Sequence, residues 1–166
     1  ALPPPPPPPP PPAPVLLAAY NGPAATDAWL ADTAIISGLS LGTGSTSTAI
    51  DTSGVTNPAP EAVYQTHRHG KPFAYTLTGL APGVAHTVRL HFCETWADGP
   101  NKRRFHVDIN GTRVLTELDI FQLTGGRFRA HAETFTATPD ANGTIVIDFL
   151  TGSKNRPFVS GLELWR

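Results

Sequence analysis

Residues 85–115 read AHTVRLHFCETWADGPNKRRFHVDINGTRVL. Apolar and polar residues alternate twice in this stretch. Val88, Leu90 and Phe92 share one face, with Thr87, Arg89 and His91 on the other. A period of two is the signature of a strand with one buried face. A strand is therefore expected over Ala85–Glu94. The second alternation, through Phe105, Val107 and Ile109, places another strand over Arg104–Ile109. Asn110-Gly111 then provides the strongest short hairpin signal, because both turn positions need positive φ. Arg113–Leu115 is the returning strand. Outward from this hairpin the pattern repeats. Thr144–Leu150 alternates through Ile145, Ile147 and Phe149; Phe73–Leu77 and Glu133–Thr138 are shorter versions; Phe158–Trp165 ends the chain. Strong helix signals are absent, so many short strands between Gly, Pro and Asn turns predict an all-β sandwich or barrel. Phe92, Val107, Ile109, Ile147 and Phe149 are expected in the core, with their alternate neighbours mostly exposed. The Gly/Ser/Thr-rich stretch LGTGSTSTAIDTSG, between Gly38 and Gly54, has little to bury and is expected to be a surface loop.

The N-terminus is of a different kind. Ten consecutive prolines, Pro3 to Pro12, can form only a polyproline II rod, about 30 Å long. Residues 1–14 are read as a stalk or linker and residues 15–166 as one domain of ordinary size. Its backbone carbonyls face solvent, so the rod can carry sugars or lie along another subunit, as proline-rich ligands do. Proline runs in secreted plant and green-algal proteins are often hydroxylated and then glycosylated. That makes Pro3, Pro4, Pro5, Pro6, Pro7, Pro8, Pro9, Pro10, Pro11 and Pro12 candidate attachment points. The rod is expected to be ordered and to make contacts beyond its own domain, in a homo-oligomer or fibre.

The net charge is −1 and charged residues are 15% of the chain, with no basic run. This argues against nucleic acid or an anionic membrane as partner. No apolar stretch approaches the length of a membrane span. No signal peptide is present, so secretion implies a leader already removed or lying outside this sequence. The single cysteine, Cys93, excludes an internal disulfide and is expected to be buried and inert. Asn110-Gly111-Thr112 and Asn142-Gly143-Thr144 both fit the N-glycosylation pattern.

No catalytic constellation is legible. Glu94 and Asp98 are four apart, as chance alone often places two acids, and do not make a glycosidase pair. His67-Arg68-His69 and His91-x-Cys93 lack the second cluster that a metal site needs. No phosphate loop or nucleophile elbow is present, and no cofactor is implied. What does stand out is aromatic and polar residues where strands end: Tyr64 and His69, Trp96, then Asn155 and Arg156. Exposed rings stack on sugar faces while polar groups bond to the hydroxyl rim.

Four segments together resemble the malectin domain: VYQTHRHG at 63–70, FAYTL at 73–77, residues 87–121, and NRPFVSGLEL at 155–164. AYNGPAATD at 19–27 resembles that family's opening strand. The resemblance covers Leu17 to Trp165. It implies a jelly-roll-like antiparallel β-sandwich and a non-catalytic, extracellular carbohydrate-binding role. By the same resemblance, Tyr64, His69, Glu94, Trp96 and Asn155 are the ligand-binding positions. His69 stands where the lectin of the endoplasmic reticulum has a tyrosine, Trp96 and Ala97 where it has two aromatics, and Asn155 where it has an acid. The implied ligand is therefore a glycan other than that lectin's diglucose, bound or covalently attached. The first expectation is a module that binds glycan or builds an extracellular glycoprotein assembly. The alternative is a targeting module of a secreted multidomain glycoside hydrolase. A receptor ectodomain would need a membrane span that this sequence lacks.

Overall fold

The computed structural model describes residues 15–22 and 29–166. The expectations for the stalk, Pro3–Pro12 included, fall outside the described residues.

Thirteen strands follow in chain order: β1 (Val15–Tyr20), β2 (Leu30–Ala31), β3 (Ile36–Gly38), β4 (Gly42–Ser45), β5 (Thr66–His69), β6 (Phe73–Leu77), β7 (His86–Cys93), β8 (Arg104–Ile109), β9 (Thr112–Leu118), β10 (Ala130–Ala137), β11 (Ile145–Lys154), β12 (Phe158–Val159) and β13 (Gly161–Trp165). Among the described residues two short α-helices, α1 (Glu61–Tyr64) and α2 (Ile120–Thr124), and a 3-10 turn at Asp32–Ala34 interrupt them. α2 is capped by Asp119, whose side chain accepts from the Gln122 N–H, and is stopped by Gly125 in the left-handed region at φ 77°. One five-stranded sheet runs β10-β7-β13-β1-β2, a second runs β3-β6-β11-β8-β9, and β12-β5-β4 form a small third sheet. Pairing is antiparallel except between β1 and β2. This is the expected antiparallel β-sandwich.

The two large sheets face each other across one apolar core. Phe92, Val107, Ile109, Ile147 and Phe149 are all buried there, as the alternation predicts. Phe73 and Phe149, paired across β6 and β11, stack with ring centroids 4.6 Å apart, and Tyr75 meets Phe149 edge-on. Asn110 and Gly111 both take positive φ in the β8–β9 turn.

Two expectations are corrected. The glycine-rich stretch is not all loop: residues 42–45 form β4, paired with β5. Glycines fit because Gly42 lies opposite His69 and Gly44 opposite His67; a Cβ on either would collide with the imidazole. The polar face of β7 is also not open to solvent. His91 and Cys93 are fully buried beneath a second apolar cluster that includes Tyr20, Trp29, Val63 and Tyr64.

Candidate functional site

Strand directions bring several ends together at one pole of the sandwich. Arg104 at the start of β8 pairs with Lys154 at the end of β11, so the residues before β8 and after β11 meet there. The segment after β7 and the paired strands β4 and β5 complete a groove of about 540 Å³. Its lining is Thr43, Gly44, Ser45, His67, His69, Thr95, Trp96, Arg103, Asn155 and Arg156.

Trp96 is 59% exposed at this groove, an unusual position for so large an apolar ring. Its loop is held from beneath. Glu94 accepts the backbone N–H groups of Trp96 and Ala97 on Oε1, at 2.9 and 3.0 Å. Its Oε2 accepts from Arg103 Nε at 2.8 Å. Arg103 also donates to the Arg156 carbonyl at 2.8 Å, and its guanidinium lies 4.7 Å over the Phe158 ring and 5.7 Å from the Trp96 ring. One buried ion pair thus ties together the segments after β7, before β8 and after β11. Burial makes such a pair costly to break, because the partner left behind is an uncompensated charge.

The imidazoles form the opposite wall. Their ring centroids are 5.7 Å apart, and His67 meets Phe158 edge-on at 5.5 Å. Burial, with Arg103 and His69 adding to it, pushes the His67 imidazole down to about 4. Burial and then the Arg156 charge lower His69 as well. Both rings are neutral near pH 7. Arg156 Nη1 lies 3.2 Å from His69 Nδ1; a guanidinium only donates, so Nδ1 accepts and Nε2 carries the proton. β5 itself is anchored from behind, where Arg68 and Tyr75 both donate to the buried carboxylate of Asp32, Arg68 Nε at 3.1 Å and the Tyr75 hydroxyl at 2.7 Å.

His69, Trp96 and Asn155 of the expected ligand positions line this groove. Tyr64 and Glu94 do not. Glu94 is 2% exposed and has both oxygens engaged, so it shapes the Trp96 loop. Tyr64 has no exposed surface. Its hydroxyl lies 2.8 Å from His91 Nδ1 and accepts from the Ala59 N–H at 3.3 Å, and burial pushes it up to about 12. His91 Nε2 lies 2.8 Å from the Glu163 carboxylate, so Nε2 donates and Nδ1 accepts from Tyr64. Burial is the main cause that lowers His91, against the pull of Glu163. Arg103, Thr95 and the β4 residues were not singled out from the sequence. A buried Glu94 at a strand end requires a counter-ion, and Arg103 answers that requirement.

Among the described residues, no three His, Cys, Asp or Glu side chains come together as a metal site. Cys93 is pushed up to about 12 by burial and then by Glu94, which makes its thiol inert at neutral pH. Asp98 is paired with Lys102 at the surface, separately from Glu94. No helix of the described residues is long and apolar enough to cross a membrane.

The family model of the malectin domain matches residues 25–162, so the chain belongs to the malectin-domain family. The chain is 32% identical over 109 residues to the kinesin-like protein KIN-14E of Oryza sativa, covering 61% of this chain and 10% of that protein. It is 30% identical over 90 residues to a probable receptor-like protein kinase of Arabidopsis thaliana, covering 51% of this chain and 11% of that one. This chain therefore spans only about a tenth of the curated relatives' length. Among solved structures, the ANXUR2 extracellular domain of Arabidopsis thaliana superposes with a TM-score of 0.80 at 20% identity, over 91% of this chain and 48% of that one. A chain from the complex of the plant peptide RALF23 with FER and LLG2 gives 0.76 at 16% identity, over 91% and 48%. At these identities the superpositions establish the fold.

Proposed function

We propose that this chain is a non-catalytic extracellular malectin-type module that binds a glycan in the groove at the β4–β5 pole. The observation that carries the reading is Trp96. An exposed indole stands beside the donors of Arg156 and His69 and the amide of Asn155, a mixture suited to a sugar ring with its hydroxyl rim. Arg103, Arg156 and two imidazoles line the groove, and its lining contains no carboxylate, so acceptor-rich sugars match it best. Family membership supports the reading, as does likeness to plant receptor ectodomains. Calorimetry against a panel of neutral and acidic oligosaccharides tests it. Trp96→Ala should weaken the best ligand by about fivefold, equivalent to ~1 kcal/mol. Unchanged binding in a folded variant removes the groove from consideration.

The stalk extends the reading to a structural subunit of a glycoprotein assembly or fibre. The sequence feature behind it is the ten-proline run Pro3–Pro12. Sedimentation of the chain with and without residues 1–14 is the test. Unaltered association after the deletion reduces the rod to a spacer and leaves the alternative, a targeting module of a secreted glycoside hydrolase, the stronger reading.

A further inference from the structure

The two N-glycosylation sequons are equal as motifs, both Asn-Gly-Thr and both in turns, but the fold treats their asparagines differently. Asn110 is used by the sandwich. Its side-chain Nδ2 donates to the Thr138 carbonyl at 2.9 Å, and its Oδ1 accepts the Val146 N–H at 2.9 Å. Its backbone N–H donates to the Val146 carbonyl. The residue ties the β8–β9 turn to the start of β11 and the end of β10. Asn142 has no such task. Its turn is closed by Asp140, whose Oδ1 accepts the N–H groups of Asn142 and Thr144 at 2.9 and 3.0 Å. Gly143 supplies the left-handed φ of 73°, and the Leu80 backbone packs where its Cβ would be. The Asn142 carboxamide is exposed and makes no hydrogen bond among the described residues.

We infer that Asn142 is the N-glycosylated residue of this domain and that Asn110 is left unmodified. Transfer forms a bond between Nδ2 and the anomeric carbon of a lipid-linked oligosaccharide donor. That carbon's bond to the lipid pyrophosphate breaks, the lipid pyrophosphate leaves, and Nδ2 gives up one proton. At Asn142 this costs no native hydrogen bond. Asn110 is exposed as well, but there the sugar competes with a carboxamide already engaged in two hydrogen bonds that hold the turn to the neighbouring strands. β11 carries its ten residues, about 30 Å, from the Asn142 turn to Asn155 at the groove. A glycan on Asn142 therefore leaves the groove open.

The inference rests on the extracellular placement proposed above. It is tested by secreting the full chain behind a leader from a eukaryotic host and mapping glycopeptides by mass spectrometry, before and after amidase release. The expected result is sugar on Asn142, lost in Asn142→Gln and retained in Thr112→Ala, which removes the other sequon while keeping the Asn110 side chain. Sugar on Asn110, or a bare Asn142 in the secreted folded chain, overturns it. Oligosaccharide affinity of the enzymatically deglycosylated chain, read separately by calorimetry, should be unchanged. Failure of the groove reading would appear in that measurement and not in the peptide map.

Discussion

His91 and Phe92 are neighbours on β7 and neither has exposed surface, but different physics keeps each inside. Phe92 packs among Phe105 and Phe158 in the sandwich core, where burial is favourable in itself. His91 lies on the opposite face against Trp29 and Tyr64, and its burial is tolerable only because both ring nitrogens have partners. An apolar core needs volume to be filled; a buried polar cluster needs every atom matched. The Arg103–Glu94 pair behind the groove is a second cluster of the same kind, so the groove pole is built by matching and the sandwich by filling.

The contrast can be broken in decreasing steps. Phe149→Ala should cost about 3–5 kcal/mol in denaturant unfolding, through lost transfer energy and the cavity left behind; a cost below about 1 kcal/mol would mean the stacked Phe73–Phe149 pair contributes little. Tyr64→Phe keeps the ring and removes only the hydroxyl, leaving His91 Nδ1 and the Ala59 N–H unpaired. It should cost about 1–3 kcal/mol, and a neutral outcome would show that shape alone holds the second cluster. The smallest step is acid. The folded chain holds His67 at about 4 and lowers His91, whereas an unfolded imidazole titrates near 6.5. Below that value the unfolded state binds protons that the folded state refuses. Stability is therefore full above about pH 6.5 and falls as pH drops toward the folded values. Between pH 7 and 6 the His67 imidazole should remove somewhat less than ~1 kcal/mol, and His91 adds to the loss in the same direction. His67→Gln should flatten the urea midpoint against pH, and an unchanged slope would assign the acid loss to other groups.

What could be read from the sequence follows the same division. β6 and β8 lie where alternation placed them, and β7 differs only at its ends, because large apolar residues every second position have one way to be buried. β10 begins at Ala130, earlier than Glu133, since Ala130-His131-Ala132 carries no large apolar residue to announce it. β4 leaves no signal in the sequence because Gly42-Thr43-Gly44-Ser45 has no large apolar residue to bury; its backbone pairing with β5 makes it a strand. Tyr64 and Glu94 carried the right chemistry for a sugar contact, yet each is consumed by partners that are distant in sequence or unannounced by spacing. His91 lies 72 residues from Glu163. Matching of that sort leaves no periodicity behind.

The bare backbone of Gly42 and Gly44 gives the groove a property that its more obvious residues do not have. On the β4 side the two imidazoles rest against glycine hydrogens, so the tilt of this wall is set in part from β4. A methyl at position 42 would displace His69 and with it the contact to Arg156, and one at position 44 would displace His67; either reshapes the recess. If the groove binds glycan as proposed, ligand choice would drift through two residues that offer no side chain, and variants at 42 and 44 alone would sample the recess.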